Sequence, residues 1–249
     1  MVQTTPVVRI LLIINVAAFL IQMTADTFFG THLFEIFGLV PYRLYEHFAV
    51  WQLVTYQFVH ADLFHLLFNM LVLWMLGSEL ELQWGKNFFT KYYLVCGVAG
   101  GIFYAVVQFF FRGSPTSLIP VVGSSGSIYG LLIAYGILYS ERTMLFMMMF
   151  PMKAKHFVGL LVGVELFTTV FNPRSGIANL AHLGGMAAGV IYLRGIAYLK
   201  KKNHLGSKKE KNKKNQARHL RLIPTASPHE EQPKSKPPSS GAGNSPTFH

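Results

Sequence analysis

Long, nearly charge-free apolar runs alternate with short polar breaks through the first 199 residues of the chain. The runs predict six membrane-spanning helices, at about 7–23, 63–76, 92–111, 125–140, 156–171 and 178–199. The first run has one flanking charge, Arg9, and ends at Thr24-Ala25-Asp26, which does not resemble a small-residue cleavage site. It therefore reads as a retained anchor instead of a signal peptide. A different pattern fills residues 26–60, where Phe28, Phe29, Phe34, Phe37, Tyr42, Tyr45, Phe48, Trp51, Tyr56 and Phe58 are interleaved with polar residues. Aromatic rings favour the lipid headgroup level, so this connection is expected to lie partly in the membrane. Residues 144–152 are apolar and Met-rich but broken by Pro151, and are too short to span. The predicted fold is an all-α membrane protein, a six-helix bundle with a partly embedded first loop.

Composition agrees. The chain is 51% hydrophobic and 13% charged, about half the charged fraction of a soluble domain. Its net charge of +11 is localised, because 12 of the 22 Lys and Arg lie in the last 50 residues. This divides the chain into a membrane domain, 1–202, and a basic tail, 203–249, whose Lys, Ser, Pro, Asn and Gly predict disorder. The tail is expected near anionic lipid. No folded nucleic-acid-binding motif accompanies the charge, so no nucleic-acid partner is expected. The positive-inside bias puts the tail in the cytoplasm and, with six spans, the N-terminus as well. Lys86, Lys91, Arg142, Lys153 and Lys155 then fall inside, and Arg43, Arg112 and Arg174 outside. The lack of an organelle-targeting sequence points to a bacterial plasma membrane. Cys96 is the only cysteine, which excludes an internal disulfide; mid-span, it reads as a small buried hydrophobe.

Four polar features interrupt the apolar runs where lipid disfavours them. The first is the turn Gly123-Ser124-Ser125-Gly126, which presents a serine hydroxyl at the start of the fourth span. A hydroxyl needs a base before it becomes nucleophilic. The second feature, His182, can supply one. It lies at i, i+3, i+7 with Gly185 and Gly189, and Gly126 and Gly130 form a matching small-residue face on the fourth span. Close packing of those faces brings His182 towards Ser125. Tyr129 shares the Ser125 face, so its ring can pack on the imidazole. The third is the pair His65 and Asn69, one helical turn apart, whose converging donors suit either an oxyanion or helix–helix bonding. The fourth is Glu165, mid-way along the fifth span and read as structural. No third triad member is evident, since the only aspartates are Asp26 and Asp62. A zinc protease would need a His-Glu-x-x-His run, an aspartyl mechanism two intramembrane aspartates, and an ion path several aligned carboxylates. None is present, and no metal or cofactor is implied.

Taken together, His60, His65-x-x-x-Asn69, Gly77-x-x-x-Glu81, Gly123-Ser124-Ser125-Gly126 and Ala181-His182-Leu183-Gly184-Gly185-x-x-x-Gly189 resemble the rhomboid family of intramembrane serine proteases. The resemblance covers about residues 7–199. It implies Ser125 as nucleophile and His182 as general base. His65, Asn69 and the Ser125 backbone N–H would form the oxyanion site, with Tyr129 stacked on His182. Glu81 would anchor the inner end of the second span, and His60 and the glycines would be structural. The implied substrates are transmembrane segments of other proteins, cut near their outer ends in a water-filled pocket that His60, His65, Asn69 and Ser124 help to keep wet. One position departs: Trp51-Gln52 stands where the family often has Trp-Arg, which is expected to weaken an interfacial contact of the first loop. Two other classes compete. A client-binding relative without activity would leave Ser125 unreactive, although the family's inactive members lack the serine or histidine that this chain keeps; a channel would need polar lining through both leaflets, whereas here the polar residues cluster in the outer half.

Overall fold

A computed structural model of the chain describes residues 3–111, 115–146, 150–171 and 176–221. Arg112, Arg174 and tail residues 222–249 lie outside the described residues. Two compact units are distinguished, Met1–Leu199 and Lys200–His249.

The first helix, α1 (Pro6–Phe29), is longer than its apolar run, with proline at its first turn and Gly30 in the left-handed conformation at its end. Thr24-Ala25-Asp26, where the apolar run ends, therefore lies within the helix. The Asp26 carboxylate accepts from the N–H groups of Leu33 and Phe34, which start the next short helix, α2 (Leu33–Phe37). Two more short helices, α3 (Pro41–Glu46) and α4 (Gln52–Thr55), and a single 3₁₀ turn, Tyr56–Phe58, complete the first loop. Leu39 pairs with Val121 through a β-bridge. Leu39 and Tyr56 are buried with Tyr104, Val121 and Ala181 in a small core of their own. The loop is thus fastened to the bundle from inside.

Gln52 contributes to that fastening. It is fully buried, accepts from the Val40 N–H at 3.0 Å and donates to the carbonyls of Glu35 and Ile36. The amide thus ties α4 to the backbone at Val40 and at the α2 residues Glu35 and Ile36.

The second span is one continuous helix, Leu63–Trp84. It consists of α5 (Leu63–Val72), a π-helical turn at Leu73–Gly77 and α6 (Ser78–Trp84). It runs past the expected end at 76 because Gly77 continues the helix. Then come α7 (Lys86–Phe109), α8 (Ser125–Leu138), α9 (Ala154–Phe171) and α10 (Gly176–Arg221). A two-stranded antiparallel hairpin, β1 (Thr143–Phe146) and β2 (Phe150–Lys153), links α8 to α9. Residues 144–146 and 150–152 of the Met-rich segment left unassigned from sequence lie on these strands, and residues 147–149 lie outside the described residues; Pro151 is tolerated because a two-stranded sheet has only edge strands.

Among the described residues, five helices are long and apolar enough to cross a membrane, and α8 is a shorter apolar helix. The protein is an integral membrane protein. At 14 residues α8 measures about 21 Å, against a hydrocarbon layer of about 30 Å. Burial ranks the helices: half of the most apolar window of α7 is buried, against 22% for α1 and 17% for α9. The main core joins Leu66, Met70 and Leu73 to Phe89, Tyr92 and Tyr93 of α7 and to Ile128, Leu131 and Leu132 of α8.

The helix of α10 continues to Arg221, so residues 203–221 are helical where composition predicted disorder. Lys, Glu, Gln, Ala and Arg are good helix formers, and the first proline beyond the last span is Pro224. Charge content misled the expectation, because it reports solubility and not backbone preference.

Candidate active site

Ser125 opens α8, and the turn before it depends on Gly123. Its φ of 107° is a conformation that side-chained residues avoid. A Cβ there would also lie 2.7 Å from Cε1 and Nε2 of His65 and 3.4 Å from Asn69 Nδ2. The bare backbone is what lets both α5 side chains close on the serine turn. The Gly123 N–H donates to the Tyr56 carbonyl at 2.8 Å, which ties the turn to the first loop. On the other side, Asp62 caps α5 by accepting from the His65 N–H at 2.8 Å. The start of the helix that carries His65 and Asn69 is thereby fixed.

The second approach to Ser125 comes from α10. His182 Nε2 lies 2.8 Å from Ser125 Oγ. The Tyr129 ring stacks on the imidazole with centroids 4.3 Å apart and planes 12° from parallel. On its far edge, His182 Nδ1 is 3.1 Å from Glu165 Oε1, close but not an aligned hydrogen bond. The same oxygen accepts from the Tyr129 hydroxyl. The His182 side chain retains 15% exposure, so the pair is sheltered but reachable.

Glycine contacts set this distance. A Cβ on Gly185 would collide with the carbonyl of Gly126, so α8 and α10 touch backbone to backbone. The other two glycines of the expected faces meet a third helix. Gly130 lies against Cys96, and Gly189 against Tyr92 and Cys96, all of α7. Gly100 of α7 in turn lies under the Ala181 carbonyl. The pairwise packing of two helices expected from sequence is thus a three-helix junction.

His60 is fully buried, its ring 5.2 Å from that of His65 in an edge contact. Burial first, and the neighbouring imidazole second, push its pKa down to about 4. Glu81 is not at the site. It accepts from the N–H groups of Val7 (3.0 Å) and Val8 (2.9 Å) and from the Thr5 hydroxyl, and so caps α1. Sequence reading missed Gln57 and Ser127, buried partners at 2.9 Å behind the serine turn. Their only sequence signal was polarity inside apolar surroundings. The buried polar atoms around Ser125 with no hydrogen-bond partner among the described residues include the His60 ring nitrogens, Asn69 Nδ2, Ser124 Oγ, Gln57 Nε2, His182 Nδ1 and Glu165 Oε2.

The sequence profile of the rhomboid domain matches residues 47–199, more than half of the chain. The chain belongs to the rhomboid family. It is 29% identical over 160 residues to rhomboid protease GluP of Bacillus subtilis, covering 64% of this chain and 29% of that one. It is 27% identical over 158 residues to rhomboid protease GlpG of Yersinia pseudotuberculosis, covering 61% and 50%. It is 32% identical over 154 residues to RHOMBOID-like protein 1 of Arabidopsis thaliana, covering 60% and 35%. The alignments thus span half or less of each of these rhomboid relatives. Mitochondrial rhomboid proteins are also among the relatives.

Proposed function

We propose that the chain is an intramembrane serine endopeptidase that cleaves transmembrane segments of other proteins near their outer ends. The observation that carries the reading is the 2.8 Å approach of His182 Nε2 to Ser125 Oγ, within a rhomboid domain. His182 takes the Ser125 proton as Oγ attacks the scissile carbonyl. The developing oxyanion is held by His65, by Asn69 and by the Ser125 backbone N–H. The unpartnered Nδ2 of Asn69 supports that role, since a buried donor without an acceptor is costly in the resting fold. Collapse of the tetrahedral intermediate expels the amine, which takes its proton from His182. Water, activated by the same imidazole, then hydrolyses the acyl-enzyme. His60, Ser124 and Gln57 offer that water hydrogen bonds close to the serine.

The same reading counts α8 as a span, the fourth of six, and sets both termini in the cytoplasm of a bacterial cell. It divides the chain at residue 202, with the basic tail near anionic lipid. The test uses purified chain reconstituted with a transmembrane reporter. Ser125→Ala is expected to abolish cleavage and leave the melting temperature unchanged; continued cleavage by the variant would refute the proposal.

A further inference from the structure

A histidine that accepts a proton at Nε2 must carry its ring proton at Nδ1, and something must hold it in that tautomer. In this chain Nδ1 faces a carboxylate. We propose that Glu165 is a positioning residue that fixes His182 as the Nδ1–H tautomer and balances the imidazolium formed when Ser125 attacks, an assignment that rests on the Ser125–His182 reading.

Three observations converge on it. Glu165 Oε1 lies 3.1 Å from His182 Nδ1, and the Tyr129 hydroxyl donates to the same oxygen. Tyr129 also stacks on the imidazole, so one side chain holds both partners in register. Glu165 is 7% exposed, mid-way along a largely apolar helix. A carboxylate so placed is rare without a partner, and His182 is the cation-forming group within reach. Its backbone is held too. The Glu165 carbonyl accepts from the Thr169 hydroxyl at 2.7 Å and from Asn179 Nδ2 at 3.5 Å, which ties α9 to the start of α10. The contrast with Glu81 is informative, because Glu81 engages both carboxylate oxygens with the α1 terminus. Glu165 directs one oxygen at Tyr129 and His182, and its Oε2 has no partner among the described residues.

The groups facing His182 are few. Ser125 and Tyr129 come from α8 and Glu165 from α9. From α5, the His65 imidazole is near enough to interact electrostatically with it. Beside the next turn of α10, α7 presents Gly100 and Phe103, which do not titrate. Removing the Glu165 charge therefore leaves His182 with no anionic neighbour among the described residues.

The experiment measures the rate of fluorophosphonate labelling at Ser125 across pH, on the full chain in detergent. Glu165→Gln is expected to slow labelling about 10²-fold and to move the acid-side half-rate to lower pH. Glu165→Asp, which restores the charge on a shorter stem, is expected to recover part of the rate and part of the shift. Equal rates and an unmoved acid limb in Glu165→Gln would overturn the assignment while leaving the Ser125–His182 reading intact. Failure of the wild-type chain to label would instead remove that reading. A second measurement needs no substitution at 165. The ¹⁵N spectrum of histidine-labelled wild-type chain, with the His182 signal identified by its loss in His182→Ala, is expected to show the Nδ1–H tautomer. An Nε2–H tautomer would overturn the proposal even if Glu165→Gln fails to fold.

Discussion

The two ends of α8 are built on opposite rules. Towards the Leu138 end, charged side chains and tyrosines are paired, although the buried Ser78 hydroxyl has no partner among the described residues. The Tyr135 hydroxyl and Arg142 both donate to Glu79 Oε2, at 2.9 and 2.8 Å, and the Tyr139 hydroxyl donates to Gln83. Nearby, Glu81 accepts from the first turn of α1. At the Ser125 end, buried polar atoms of His60, Asn69, Ser124 and Gln57 have no partner among the described residues. Burial without a partner destabilises a fold, so the Ser125 end gives up stability that the Leu138 end keeps. The difference separates a site from a scaffold: unsatisfied donors near a serine are useful only to something that arrives later.

The largest effect expected from breaking this contrast is on turnover. Asn69→Ala and His65→Ala each remove a donor proposed to act mainly on the oxyanion, and kcat is expected to fall about 10²–10³-fold with a smaller change in KM. Stability should hardly fall, since Asn69 makes no hydrogen bond through Nδ2 in the resting fold. Steady-state kinetics on a transmembrane reporter checks this, and a defect confined to KM would contradict the oxyanion role.

The opposite result is expected at the paired end. Glu81→Ala leaves the N–H groups of Val7 and Val8 and the Thr5 hydroxyl without their acceptor. The cost should be about 2–3 kcal/mol of stability, with an unchanged labelling rate per folded molecule. Denaturant titration in detergent, paired with probe labelling, separates the two quantities. A variant that kept its stability but lost its labelling rate would erase the proposed division between the ends.

A third effect concerns acid, and it is felt only below about pH 6.5. His60 is buried and titrates near 4 in the fold, whereas the unfolded chain takes up this proton near 6.5. Between those values the unfolded state binds more protons, so stability falls as the pH falls. His60 makes its full contribution above about 6.5 and loses it progressively towards about 4, at no more than about 1.4 kcal/mol per pH unit. His60→Asn should flatten the stability–pH profile across that window. A parallel profile would mean that His60 takes up its proton in the fold as readily as in the unfolded chain.

Much of this was legible in the sequence for a physical reason. Helical period and small residues fix which faces meet, so Ser125, Tyr129, His182 and Gly185 could be brought together from spacing alone. What period cannot fix is the register of one helix along another. Glu165 was therefore read as structural, although its carboxylate reaches His182. Gly100 of α7 went unnoticed for the same reason, since a third helix in the junction is a tertiary fact. The hairpin after α8 and the helix beyond Leu199 were missed because composition reports burial and charge, whereas backbone state there follows turn placement and propensity.

The most direct test of the account maps the site of fluorophosphonate attachment on the full chain by mass spectrometry, alongside His182→Ala. The account predicts one adduct, on Ser125, whose formation nearly stops in the variant. An adduct on another residue, or labelling of Ser125 that His182→Ala leaves unchanged, would contradict it.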